Sequence, residues 1–164
     1  MLLFLDFDGV LHPVKSNIDD IFCRVPLLED FLLHEMPDWN IVLSTSWREP
    51  HSLDQLFDFL PESLHSRILG TTVADKHPGP KEMDSMLFQR SPRQAQVLYY
   101  LRERALNDEH WLALDDSAPD FEPDTPQLVL CNPTQGITQE TLVELHQRYQ
   151  VCYNNHIPFY SMSL

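Results

Sequence analysis

Short apolar runs alternate with segments of helical character along the whole chain, and this alternation limits the folds open to it. Four runs have the length and the bounding residues of buried strands, and they cover residues 2–7, 40–44, 111–114 and 127–131. Helices are expected over residues 26–36, 52–60, 94–106 and 139–148. Strands that alternate with helices are typical of α/β domains with a mainly parallel sheet. We therefore expect an α/β fold.

The length and regularity of the chain indicate one domain. A chain of 164 residues is about the size of a single hydrophobic core, and the sequence contains neither an internal repeat nor a linker. We expect one domain over residues 1–164. Residues 70–73 are a candidate further strand. Residues 74–92 contain three prolines and no clear period, which predicts a long loop or a small insertion.

The charge balance restricts the partners of the protein. The chain has 25 acidic and 11 basic residues, a formal net charge of −14. This surface repels nucleic-acid backbones and anionic lipid, so we expect neither tight duplex binding nor membrane binding. No run of 18 apolar residues occurs, and the three cysteines are widely spaced, which favours a soluble cytoplasmic protein. The oligomeric state stays open.

Polar side chains follow three of the expected strands at the point where each strand ends. Asp6 and Asp8 end the first strand, residues 44–48 follow the second, and Asp115 and Asp116 follow the third. The carboxyl ends of parallel strands lie at one edge of the sheet, where ligands bind in open α/β folds. Four carboxylates and several hydroxyl groups are therefore expected to form a single site.

Clustered carboxylates repel one another unless a cation balances their charge. Mg²⁺ is favoured because it binds through one or two carboxylates together with substrate phosphate. Asp6 is then a candidate nucleophile that forms an aspartyl-phosphate, and Asp8 is a candidate general acid and base. An EF-hand is excluded because Gly9 occupies the fourth position rather than the sixth and Asn17 stands at the twelfth.

Three segments resemble motifs of the haloacid dehalogenase (HAD) superfamily, in the order of that family. LLFLDFDGVLHP resembles the first motif, IVLSTSW the second, and LALDD, with Asp120 four residues beyond Asp116, the acidic fourth. The resemblance spans positions 2 to 120 and implies a Rossmann-like HAD fold. Fewer than forty residues separate the first two motifs, which implies no large cap and an open site. The segments STSWR, LDDS and CNPTQG also resemble a group of small HAD-domain proteins, some linked to RNA repair.

The resemblance implies a role for each of the four aspartates. Asp6 matches the nucleophile of the family. Asp8 matches the general acid and base, whose backbone carbonyl usually joins the metal ligands. Asp116 matches the aspartate that binds the metal, and Asp115 beside it would support the ion or its waters. The implied ligands of Mg²⁺ are therefore Asp6, Asp8, Asp115 and Asp116.

The resemblance leaves more than one candidate for each phosphate-binding position. Thr45 best matches the hydroxyl that binds the transferring phosphoryl group, with Ser44 as the alternative. Ser44, Ser46 and Arg48 are candidate substrate-binding residues, and the alternative for Arg48 is an ion pair with a surplus acidic residue. Arg93 best matches the basic third motif, because it opens the helix before the third strand. Further candidates for that motif are Lys76, Lys81 and Arg90.

Three classes of function remain. The leading class is a magnesium-dependent phosphohydrolase that acts through Asp6 on a phosphorylated substrate, whose identity the residues do not specify. The alternative is a HAD fold used only for binding. A receiver-type phosphoacceptor domain is disfavoured, because the nucleophile-like DxDG comes first and no Lys follows the last strand. His12 lies just past the first motif, where contact with a leaving group is the alternative, and we expect it at the surface.

Overall fold

Five parallel strands form the central sheet, in the order β3-β2-β1-β4-β5. The structure is a computed structural model, and it describes residues 1–73 and 89–156. The strands are β1 (Leu2–Leu5), β2 (Asn40–Leu43), β3 (Ile68–Thr71), β4 (Trp111–Asp115) and β5 (Leu128–Leu130). The expected α/β fold with a parallel sheet is confirmed. The candidate strand over residues 70–73 is present as β3, which begins and ends two residues earlier.

Five helices in the described ranges connect or follow these strands. They are α1 (Val25–Glu35), α2 (Leu53–Phe57), α3 (Glu62–His65), α4 (Pro92–Glu103) and α5 (Gln139–His156). Proline near the first position begins α1 and α4, where the missing N–H has no intrahelical partner to lose. A capping box begins α2: the Ser52 hydroxyl accepts from the Gln55 amide, and the Gln55 side chain accepts from the Ser52 amide.

The helices cover both faces of the sheet, and alternate residues of each strand point to opposite faces. On one face, Leu3 and Leu5 of β1 belong to a core cluster that includes residues of α1 and α5. On the other face, Leu2 and Phe4 pack with Val97, Tyr100 and Leu101 of α4. Because both faces are covered, the strands read as continuous apolar runs rather than as alternating ones.

The structure corrects the expected bounds of several elements. The helix expected over residues 52–60 ends at Phe57. Pro61 has no N–H to donate to the Phe57 carbonyl, and the Leu60 amide donates to that carbonyl instead. A separate short helix, α3, follows that proline. The last helix extends beyond residue 148 to His156. Pro92 begins α4 rather than ending a loop, and the rest of the expected loop falls mostly on residues 74–88, outside the described residues.

The strand order determines where a ligand can bind. The chain builds β1, β2 and β3 outward to one side and then returns to place β4 on the other side of β1. At such a switch of direction the connections on the two sides of β1 diverge, and this leaves a crevice at the carboxyl ends of the strands. No helix in the described ranges has the length and apolar character to cross a membrane.

Candidate active site

The register of the sheet brings Asp6 and Asp115 to the same level. Leu5 of β1 pairs with Leu43 of β2 on one side and with Leu114 of β4 on the other. The residue after Leu5 is Asp6, whose amide donates to the Leu114 carbonyl at 3.1 Å. Since Leu5 and Leu114 face α1 and α5, the alternation directs Asp6 and Asp115 toward the face that α4 covers. Both aspartates are buried.

Arg93, the second residue of α4, lies between these two aspartates. Its Nη2 is 3.3 Å from Asp6 Oδ2, and its Nε is 3.3 Å from Asp115 Oδ2. Its Nη1 donates to the Ser44 carbonyl. Arg90, a second candidate for the basic motif, is exposed and pairs with Glu122 at 3.1 Å. The two lysine candidates, Lys76 and Lys81, lie outside the described residues.

Three carboxylates are close enough to bind one ion. Asp6, Asp115 and Asp116 each offer an oxygen, and these oxygens lie within 4.8 Å of one another. Gly9 leaves room for this arrangement, because a Cβ built there would lie 2.1 Å from Asp116 Oδ2. An all-oxygen carboxylate set is what Mg²⁺ prefers, so the residues fit this ion. The side chain of Asp8 is not part of the cluster.

The electrostatics of the cluster also fit a divalent cation. Burial raises the pKa of Asp6 to about 6, against the opposing charge of Arg93. Burial, and next the charge of Asp6, raises the pKa of Asp115 to about 8. Burial likewise raises the pKa of Asp116. One guanidinium thus does not balance three clustered carboxylates, and a divalent cation would supply the remaining positive charge.

The polar residues after β2 have separate contacts. The Thr45 hydroxyl is buried, hydrogen-bonds to Asp6 and accepts from the Trp47 amide at 3.3 Å. The Ser44 hydroxyl is buried without a hydrogen-bond partner among the described residues. Ser46 is exposed. Arg48 donates to the Thr45 carbonyl and, at 2.9 Å, to Gln96 Oε1 of α4, so it ties the end of β2 to that helix.

Asp8 has two partners that the sequence motifs did not indicate. Trp47 Nε1 donates to Asp8 Oδ2 at 2.9 Å, and His12 Nε2 lies 3.1 Å from Asp8 Oδ1. The expectation that His12 lies at the surface is wrong, since 4% of the residue is exposed. The turn after Phe7, in which the amides of residues 10 and 11 donate to the Phe7 carbonyl, directs the chain back toward Asp8. The four-residue spacing of Asp8 and His12 is the feature of the sequence that could have indicated this contact.

The strand order, the crevice and the acidic cluster define a Rossmann-like α/β domain of the HAD type. Over residues 2–142 the sequence matches the family described as the HAD domain in Swiss Army Knife RNA repair proteins, and the chain belongs to this family. The matched range spans the positions of all four aspartates, Thr45 and Arg93. HAD domains are usually hydrolases, many of them phosphatases, and typically use Mg²⁺. No curated protein and no solved structure matches the chain significantly.

Proposed function

We propose that the protein is a magnesium-dependent phosphohydrolase in which Asp6 is the nucleophile. One observation carries the proposal: buried Asp6 lies beside both a cation, Arg93, and two further carboxylates, Asp115 and Asp116. A carboxylate kept only for structure has no need of this arrangement, which leaves negative charge poorly balanced. Phosphoryl transfer uses it, because the nucleophile and the phosphate charge are then stabilised together.

The metal ligands would be Asp6 and Asp116, with Asp115 supporting the ion and the backbone carbonyl of Asp8 completing the protein's share. When bound, Mg²⁺ neutralises charge on the phosphoryl group and on the aspartates around it. Gly9 permits this position of Asp116, because a side chain at residue 9 would overlap the Asp116 carboxylate.

The reaction has two half-reactions, formation and hydrolysis of a phosphorylated Asp6, and each requires a nucleophilic attack and a proton transfer. An Asp6 carboxylate oxygen forms a bond to phosphorus while the bond from phosphorus to the leaving oxygen breaks, and Asp8 gives its proton to that oxygen. Asp8, now a carboxylate, takes a proton from water, which attacks phosphorus and releases inorganic phosphate from Asp6. Asp8 ends protonated and Asp6 ionised, so the cycle is closed.

Arg93 and Thr45 would hold the nucleophile and the phosphoryl group in line. The Arg93 guanidinium is fixed by Asp6, Asp115 and the Ser44 carbonyl, so its charge lies beside the point of attack. The Thr45 hydroxyl hydrogen-bonds to Asp6. Fixed donors of this kind stabilise developing charge without reorganisation. Ser44, Ser46 and Arg48 are retained as candidates for the substrate side of the site.

The family description makes terminal phosphates of RNA and nucleotides the first substrates to test. The net charge of −14 limits these substrates to nucleotides, short RNAs and single-stranded RNA ends, because a long duplex needs a basic face on the protein to bind. Between β1 and β3 the structure contains α1, α2, α3 and two 3₁₀ turns, with no large cap in that part of the chain. In that part of the chain, therefore, no inserted cap would keep the end of a polymer from the crevice.

The proposal is tested by turnover and by trapping of the intermediate. We expect 4-nitrophenyl phosphate to be hydrolysed with Mg²⁺ and not with EDTA, and substrate labelled in the phosphoryl group to leave acid-stable label on the protein. Asp6→Asn should abolish both while circular dichroism stays unchanged, and Asp8→Asn should slow turnover about 100-fold or more. The exposed Asp19→Asn is the matched control. Full activity of purified Asp6→Asn, or no turnover on a broad phosphate panel, would overturn the proposal and favour a binding domain.

A further inference from the structure

Both carboxylate oxygens of Asp8 are engaged by aromatic residues from other parts of the site. Trp47, which follows β2, donates its indole N–H to Asp8 Oδ2 at 2.9 Å. His12 Nε2 lies 3.1 Å from Asp8 Oδ1. The Asp8 side chain is 45% exposed, whereas that of His12 is 5% exposed. The carboxyl group of Asp8 is therefore partly open to the crevice, whereas the His12 ring that contacts it is buried.

The hydrogen bonds of His12 indicate which tautomer is present. Its Nδ1 is buried and has no hydrogen-bond partner among the described residues. A buried N–H without an acceptor is rarer than an acceptor without a donor. The hydrogen of neutral His12 therefore resides on Nε2 and is donated to Asp8. Asp8 thus accepts one hydrogen bond on each of its two oxygens.

A third aromatic residue supports the two donors. The Phe22 ring lies 5.2 Å from the rings of both His12 and Trp47, and it stacks on Phe59 at 5.1 Å. The Phe22 backbone has φ +62°, a left-handed conformation that is unfavourable for a residue with a large side chain. Such conformations persist where surrounding contacts determine them, and they concentrate at functional sites. The strained residue here is the one that packs on both donors of Asp8.

We propose that Trp47 and His12 are positioning residues that hold the Asp8 carboxyl group in one rotamer for proton transfer to the leaving oxygen. This inference rests on the proposed phosphohydrolase function and adds two residues to it. A half-exposed aspartate otherwise samples several staggered rotamers, and only those near the leaving oxygen transfer a proton. Two donors from buried rings select one of them.

Positioning of the general acid has a specific kinetic signature. A leaving group that needs a proton depends on Asp8, whereas nitrophenolate departs well without one. Loss of a positioning hydrogen bond should therefore lower kcat/KM about tenfold for phenyl phosphate and less than about threefold for 4-nitrophenyl phosphate. A purely structural defect lowers the active fraction and reduces both values by the same factor.

The experiment compares Trp47→Phe with Trp39→Phe over a series of substituted phenyl phosphates. Trp47→Phe keeps a ring in the aromatic cluster and removes the donor to Asp8. Trp39→Phe makes the same chemical change at a buried tryptophan whose N–H has no hydrogen-bond partner in the described part of the chain. We expect a steeper dependence of log kcat/KM on leaving-group pKa for Trp47→Phe and the wild-type slope for Trp39→Phe. In an Asp8→Ala background, Trp47→Phe should have no further effect.

A second pair of variants tests His12. His12→Gln keeps an amide donor near the position of Nε2, and His12→Leu removes the donor. We expect the leaving-group dependence of His12→Gln to stay near that of the wild type and that of His12→Leu to steepen. Unchanged slopes for both Trp47→Phe and His12→Leu in an active enzyme would overturn the proposal.

An NMR readout is independent of turnover. In ¹⁵N spectra, Asp8→Ala should shift the indole N–H resonance of Trp47 and leave that of Trp39 in place, with the two assigned through their Phe variants. An unshifted Trp47 resonance would show that the contact is absent and would overturn the positioning role. If Asp8→Ala shifts the Trp47 resonance but the wild-type protein hydrolyses none of the phosphates tested, the positioning contact stands and the proposed function is overturned.

Discussion

Gly9 lies so close to the Asp116 carboxylate that no side chain fits between them. A Cβ built at Gly9 would lie 2.1 Å from Asp116 Oδ2 and 2.8 Å from Asp116 Cβ. The second distance shows that a rotation of the carboxylate alone would not relieve the overlap. The glycine in the turn that follows β1 therefore determines where the aspartate after β4 can lie.

We expect Gly9→Ala to displace Asp116 and to abolish the increase in melting temperature that Mg²⁺ produces by binding the folded protein. Gly136→Ala is the matched control, because Gly136 has φ +69° against +67° for Gly9 and its Cβ would meet Val10 and Arg24 rather than Asp116. Both variants should lose stability through backbone strain. Calorimetry with EDTA and with millimolar Mg²⁺ distinguishes them, and a full Mg²⁺ response in Gly9→Ala would contradict the assigned contact.

When no metal is bound, the buried carboxyl groups predict a free energy of unfolding that decreases as the pH rises. Burial raises the pKa of Asp6 to about 6 and that of Asp115 to about 8, from 3.8. The folded protein thus holds these protons more tightly than the unfolded chain. The stabilisation is complete below about pH 4 and is lost as the pH rises through 6 and 8. Mg²⁺ binds the ionised groups, so it should raise the melting temperature more at pH 8 than at pH 5.

Urea unfolding in EDTA at pH 5 to 8 measures this dependence. Asp115→Asn should flatten the decline, by up to about 1.4 kcal/mol per pH unit for one proton. The exposed Asp19→Asn should leave it unchanged. If Asp115→Asn kept the slope of the wild type, Asp115 would not be a source of the pH dependence.

Arg93 contacts two carboxylates and a carbonyl at once, so its charge alone does not describe its role. Arg93→Lys keeps the charge, but an ammonium group lacks the planar geometry that reaches Asp6, Asp115 and Ser44 together. We expect Arg93→Lys to lower kcat/KM about 10-fold or more and Arg93→Gln about 100-fold or more. Arg90→Gln, which removes only an exposed pair with Glu122, should stay within about twofold of the wild type. Wild-type activity in Arg93→Gln would exclude Arg93 from the reaction.

The charge of the chain predicts negligible binding to duplex nucleic acid. With 25 acidic and 11 basic residues, little counterion release is available to drive association. Fluorescence anisotropy with a labelled duplex of about 20 base pairs should show no binding below about 100 μM at physiological salt. Submicromolar binding would reveal a basic groove that the net charge conceals.

The fold was predictable because its signals are local. A run such as Leu2–Leu5 is short and apolar at every position, which is typical of a strand covered on both faces. The aspartates that follow β1 and β4 could be expected at one edge for the same reason, since parallel strands end together. Helix ends were less predictable: the capping box at Ser52 indicated the start of α2, but the stop at Phe57 depends on the proline that follows.

The sequence by itself determined the class of fold and the acidic edge at which Asp6, Asp115 and Asp116 lie together. The tertiary structure decided which groups meet there. It places Arg93, and not the exposed Arg90, beside Asp6 and Asp115, because α4 covers the face toward which these aspartates point. It also brought the side chains of Trp47 and His12 within hydrogen-bond distance of the Asp8 carboxylate. Contacts between residues 39 or 87 positions apart depend on strand register and helix packing, which arise only when the whole core forms, and no local pattern encodes them.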